Sequence, residues 1–143
     1  MATDGAGTAS ATVQAPITVG QTTAIKFGNI TNVATATCVM TPGNDTPLGT
    51  SCAGGTTTAG VFAISSEAAT LDITLSITTP VKGDVTFAPI WSNGDADFAA
   101  GATGTMAAPG GSFDINLGGT LTNGASPVSG AQSWDYTVAV TYQ

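Results

Sequence analysis

The sequence predicts an all-β sandwich, and three observations carry that prediction. Apolar residues recur with a period of two in run after run, the mark of strands with one buried face. Gly, Pro, Asn and Asp punctuate these runs at short intervals. Charged helix formers are nearly missing, since the chain holds one Glu, two Lys and no Arg. At 143 residues and 42% hydrophobic content, it is long and apolar enough for one domain with a real core.

The first element is the most unusual. Ala9, Ala11, Val13, Ala15, Ile17 and Val19 take the odd positions, with Thr8, Ser10, Thr12, Gln14, Pro16 and Thr18 between them. As one strand, residues 9–19 would span roughly 37 Å, about twice the usual length. Pro16 lacks an N–H, which assigns this strand to a sheet edge or turns that nitrogen out of the ladder. Two readings stay open. The segment is either the first strand of its own sandwich or an added strand in a neighbour's sheet, held by main-chain bonds. Periodicity alone favours neither.

Ile25 with Phe27 forms the next short strand piece, and Lys26 faces solvent between them. Residues 41–60 read as a long loop opened by the breaker Pro42-Gly43-Asn44-Asp45 and carrying Cys52. Phe62 with Ile64, Leu71-Ile73-Leu75-Ile77, Val85 with Phe87, and Phe113-Ile115-Leu117 follow as alternating strands. Lys82-Gly83-Asp84, Asn93-Gly94-Asp95, Pro109-Gly110-Gly111 and Asn123-Gly124 supply the turns between them. The terminal strand sets Trp134, Tyr136, Val138, Val140 and Tyr142 on one face. No helical period, internal repeat or linker breaks the series. The organisation is an N-terminal extension over 1–20, opening on a flexible leader, and a sandwich over 21–143.

Cys38 and Cys52 are the only cysteines. An even count in such a composition points to a disulfide and an oxidising compartment. A closed loop of about 15 residues contributes roughly 3 kcal/mol by restricting the unfolded chain. The alternative is two buried thiols in a reducing compartment. A metal site is disfavoured, because His is absent and there is no second Cys pair. Residues 1–5 lack the basic start and apolar stretch of a signal peptide and read as a mature N-terminus, with Met1 an added initiator.

Charge excludes several functions. Only 8% of residues are charged and the net charge is −7. Two cations cannot build a basic patch, so phosphate-based nucleic-acid binding and anchoring to anionic lipid are not expected. No apolar run of about 20 residues exists for membrane insertion. Without His, a Ser-His-Asp or Cys-His site cannot form. Asp95 and Asp97 lie near a polar turn and lack both the spacing and the Glu of a calcium loop. No cofactor and no catalytic residues are expected. Trp91, Trp134, Tyr136 and Tyr142 offer stacking faces for a sugar, although the last three share one strand face and read first as core.

The order of several pieces resembles a poorly characterised family of bacterial secreted, pilin-like β-sandwich domains. These pieces are Ile17-Thr18-Val19, Ala24-Ile25-Lys26-Phe27-Gly28-Asn29-Ile30, Gly110-Gly111-Ser112-Phe113, Gly118 to Thr122, and the ending Val140-Thr141-Tyr142-Gln143. The wider class, chaperone–usher pilins, consists of incomplete immunoglobulin-like sandwiches polymerised by N-terminal donor strands. The resemblance implies an immunoglobulin-like Greek-key β-sandwich with an N-terminal strand extension. It implies a donor strand over Ala9, Ala11, Val13, Ala15, Ile17 and Val19, and identical subunits as partners in a homopolymer. It also implies a periplasmic assembly chaperone and secretion to the bacterial surface. This sequence departs from the family at Gly130 to Tyr136, where a Gly-x-Tyr-x-Gly element is usual, and in the small residues of its donor segment. The competing expectation is a monomeric, adhesin-like surface module that binds carbohydrate.

Overall fold

The computed structural model describes residues 1–107 and 110–143. Pro109 of the expected turn Pro109-Gly110-Gly111 lies outside the described residues. The described chain contains ten strands and no helix: β1 Thr18–Thr23, β2 Thr37–Met40, β3 Gly60–Ser66, β4 Thr70–Ile77, β5 Val81–Lys82, β6 Val85–Ser92, β7 Asp97–Ala99, β8 Thr103–Ala107, β9 Gly111–Asn123 and β10 Tyr136–Tyr142. They form two antiparallel sheets, a β-sandwich. The larger runs β1-β3-β9-β6-β5, with β2 on β9 and β7 on β6; the smaller runs β10-β4-β8.

The strand β9 is the spine. Its 13 residues reach about 40 Å. One edge pairs β3 from Gly111 to Leu117 and then β2 from Gly119 to Thr122, while the other pairs β6 from Asn116 to Asn123. The change of partner falls at Gly118. A Cβ there would collide with the Met40 carbonyl, so glycine lets β2 come in. The long alternation read from Phe113 to Leu117 therefore continues through the Gly118 to Thr122 piece as one strand.

Alternation places the core. Leu71, Ile73 and Leu75 of β4 are fully buried and pack with Ile64, Trp91, Ile115 and Leu117 of the larger sheet. Fully burying each such aliphatic side chain stabilises the fold by about 1.5–3 kcal/mol. Trp91 stacks on Phe98 with ring centroids 4.6 Å apart. Gly104 of β8 lies opposite, where any Cβ would strike both rings. A second cluster, Cys38, Val85, Phe87 and Leu121, occupies the far end of the sandwich.

Turn chemistry acts as its residues dictate. Gly83 and Asp84 both have positive φ, 57° and 58°, and join β5 to β6 as a two-residue hairpin of the primed type. The Asp84 carbonyl accepts from Gly124 N–H and its carboxylate from Ser126 N–H, both at 2.7 Å. Pro89 sits inside β6 because its missing donor faces the gap between the partners β5 and β7; its carbonyl, on that same side, accepts from Ala100. Cys38 and Cys52 form the disulfide, tying β2 to the loop over 41–59.

Three expectations need correction. The first strand covers Thr18–Thr23 rather than 9–19, and it pairs in its own chain with β3, Val19 facing Ile64. It therefore crosses the 20/21 boundary drawn between extension and sandwich. Ile25 and Phe27 lie outside any strand, with Lys26 making an isolated bridge to Thr58. Asn123 is no surface turn residue: it ends β9 at 2% exposure, and its Nδ2 donates to the Thr31 and Val33 carbonyls, both at 2.8 Å.

Candidate functional site

Two features at opposite ends of β9 stand out: an unpaired N-terminal segment and an open aromatic groove.

Residues 1–14 are exposed throughout, and Val13 stands at 92% exposure. Their alternation meets no partner strand among the described residues. The segment becomes tied to the domain at Ala15. The Ala15 N–H donates to the Glu67 carboxylate at 2.9 Å, and its carbonyl accepts from the Tyr142 hydroxyl at 2.6 Å. Beyond this clasp, Ile17 packs on the main core and β1 begins. Of the six residues read as donor positions, Ala9, Ala11 and Val13 are free, Ala15 is clasped, and Ile17 and Val19 contribute to the chain's own sandwich. Glu67, the only Glu in the chain, had no role in the sequence pattern. It lies in the turn between β3 and β4, beside Gly110 and Gly111.

The terminal strand, read from Trp134, begins at Tyr136 instead. Tyr136, Val138 and Val140 are half-buried and pack on the core, while Tyr142 is exposed at the clasp. Strand β10 pairs along its length with β4 alone among the described residues. In the larger sheet, β1 likewise has one partner, β3. Both strands thus leave an open edge, the kind of surface that templates added strands.

At the other end, residues 24–32 and 127–136 face each other across a groove of about 1160 Å³. Its floor is Val85, Phe87 and Leu121; Ile25, Phe27, Trp134 and Tyr136 rise along its walls. Phe87 is the centre of the aromatic contacts. Its ring centroid lies 5.8 Å from Phe27, 6.0 Å from Trp134 and 6.2 Å from Tyr136. Trp134 precedes β10, and its indole N–H donates to the Val85 carbonyl at 3.2 Å. The Tyr136 and Thr31 hydroxyls are buried without a hydrogen-bond partner. Burial raises the Tyr136 phenol above its ordinary value of 10.0.

The groove walls carry unpaired main chain. Lys26, Asn29 and Thr31 bond outward to residues 51–58, whereas Ile25 and Phe27 make no backbone hydrogen bond among the described residues. The same holds from Ser129 to Trp134. Sequence reading found Trp134 and Tyr136 on one wall and Ile25 and Phe27 on the other, but not the stretch leading into Trp134. Its residues 127–133 are mostly small and polar and carry no period.

The four aromatics read as a sugar platform are not brought together. Trp91 is fully buried, Trp134 and Tyr136 line the groove, and Tyr142 holds the clasp at the opposite end. Asp95 lies in a turn capped by the Asn93 side chain, which accepts from the Asp95 and Ala96 N–H groups at 2.9 and 2.8 Å. No cluster of three or more metal-ligating side chains occurs among the described residues. Comparison with protein-family models, curated proteins and solved structures finds no significant match to this chain.

Proposed function

We propose that this chain is a structural subunit of a bacterial surface filament, a pilus or fimbria, that polymerises by strand addition. The observation that carries this reading is the alternating segment ahead of Ala15, exposed and unpaired beside a sandwich with open edges. Main-chain hydrogen bonds to a neighbour would supply affinity, and alternate side chains would supply register. The resemblance to pilin-like domains gives the same answer from the residues. The Cys38–Cys52 disulfide is compatible with a periplasmic or extracellular protein. No helix of the described residues is long and apolar enough to cross a membrane. Secretion to the cell surface and delivery by a periplasmic chaperone complete the proposal.

Light scattering on material eluted from a sizing column tests it. The full chain should form multimers, and removal of residues 1–14 should leave a folded species lighter than the 13.9 kDa chain by the mass of those 14 residues alone. Equal multimers from the shortened chain would refute strand addition by this segment.

The groove favours a second reading, a monomeric surface module that binds carbohydrate on Trp134 and Tyr136. It predicts a monomeric full chain and glycan binding that Trp134→Ala abolishes. A glycan array at background counts against it.

A further inference from the structure

The chain holds two Asn-Gly pairs, Asn93-Gly94 and Asn123-Gly124, and the fold puts them in opposite chemical settings. Glycine after asparagine leaves its main-chain nitrogen without a shielding Cβ, free to attack the neighbouring side-chain amide. Asn93 lies in the turn between β6 and β7, and Gly94 is exposed with open space where a Cβ would stand. The Asn93 Oδ1 accepts from the Asp95 and Ala96 N–H groups at 2.9 and 2.8 Å. The attacking nitrogen, Gly94 N–H, donates to the Ser92 hydroxyl at 3.2 Å. Asn123 ends β9 at 2% exposure, and its Oδ1 is buried without a hydrogen-bond partner among the described residues. Its Nδ2 is taken up by the Thr31 and Val33 carbonyls, and Gly124 N–H donates to the Asp84 carbonyl at 2.7 Å.

We infer that Asn93-Gly94 is a site of self-modification, where the Asn93 amide cyclises and hydrolyses to aspartate or isoaspartate, and that the fold protects Asn123-Gly124 from the same reaction. In the first step the Gly94 nitrogen loses its proton to water and bonds to Asn93 Cγ. The Cγ–Nδ2 bond breaks, and Nδ2 takes up a proton and leaves as ammonia, giving a succinimide. In the second step water adds to one of the two ring carbonyls, that carbon's bond to the Gly94 nitrogen breaks, and the nitrogen regains its proton. The balance is one water consumed and one ammonia released, with nothing oxidised or reduced. Negative charge develops on Oδ1 as the nitrogen adds. At Asn93 two N–H donors already point at that oxygen and stabilise the charge. At Asn123 the charge would grow on a buried oxygen with no donor, which is costly.

Conversion changes the contact between the sheets. The Asn93 Nδ2 donates to the Thr105 carbonyl at 3.2 Å, joining the β6–β7 turn of the larger sheet to β8 of the smaller. A carboxylate has no proton to donate, so this bond is lost and the new charge faces a carbonyl oxygen. Strand β8 pairs only with β4 among the described residues, and the loss loosens it at that edge.

The test incubates the full chain at mildly alkaline pH, folded and in denaturant, and follows both asparagines by peptide mass spectrometry. In denaturant the two should convert at similar rates, because glycine follows each. In the folded chain Asn93 should keep at least its denatured rate. Asn123 should slow by roughly a hundredfold or more, the order that a missing oxyanion donor costs. As a second readout, Asn93→Asp, which carries the product carboxylate, should speed amide exchange in β8 while β9 is unchanged. Equal rates at the two sites in the folded chain, or an Asn93 that converts only in denaturant, would overturn the modification site. Unchanged exchange of β8 in Asn93→Asp would overturn its structural consequence.

Discussion

Residues 9–17 and the strand β9 share a sequence pattern and meet opposite fates. Both alternate apolar and polar residues. Strand β9 is paired on both edges and buries Ile115, Leu117 and Leu121. Residues 9–14 pair with nothing among the described residues of their own chain. The difference is side-chain size. Burial stabilises by about 25 cal/mol per Å² of apolar surface, and an alanine offers too little area to offset the entropy of ordering its backbone, about 1–2 kcal/mol per residue. Period two therefore reports which residues can form a strand, while volume decides whether the strand pays its way at home. A segment of small alternating residues is left unpaired among the described residues of its own chain.

The sharpest way to break this comparison is to remove volume from each segment. Leu117→Ala should destabilise the fold by about 2–5 kcal/mol, read as a lower denaturant midpoint. Val13→Ala should change the same midpoint by less than about 0.5 kcal/mol. Comparable losses would show that residues 9–14 pack on their own domain. A smaller effect is expected at the groove end. Replacing Cys38 and Cys52 together by Ser should cost about 3 kcal/mol, from the loop of 14-residue separation that the bond closes. Residues 24–32, held to Ser51 and Ala53 by backbone bonds, should then exchange their amides faster while β4 does not. Uniform acceleration would contradict a local role for the disulfide.

The smallest effect concerns Tyr136. Its phenol is raised above 10.0 by burial, so above that pH the unfolded chain releases a proton that the folded chain keeps. Stability from this group is present below pH 10 and falls as pH rises through the folded value. Tyr136→Phe, which removes a buried hydroxyl without a partner, should be at least as stable as the parent below pH 10 and lose less stability above it. Parallel decline of the two proteins would show that Tyr136 ionises as freely in the folded state.

The core was legible because each of its strands sets large residues two apart. Leu71, Ile73 and Leu75 name their own face, and the Gly83-Asp84 hairpin announces its turn. The disulfide was legible as a pair because there were only two thiols to join. The strand order was not legible, since β9 pairs with three strands distant in sequence and nothing local encodes that. Asn123 misled for a related reason. Asn-Gly reads as a turn, yet here the amide reaches back across 92 residues to the Thr31 carbonyl. The Ala15 clasp was also hidden, because a lone Glu67 and a penultimate Tyr142 carry no shared pattern.

Hydrogen exchange on residues 8–14, measured in monomer and in assembled material, tests the central claim most directly. These amides have no partner among the described residues of their own chain, so they should exchange at free-chain rates in the monomer. In the assembled form they should be protected at least a hundredfold, like the amides of β9. Free-chain exchange of residues 8–14 in assembled material would show that the subunits are joined by some other surface, and strand addition would be wrong.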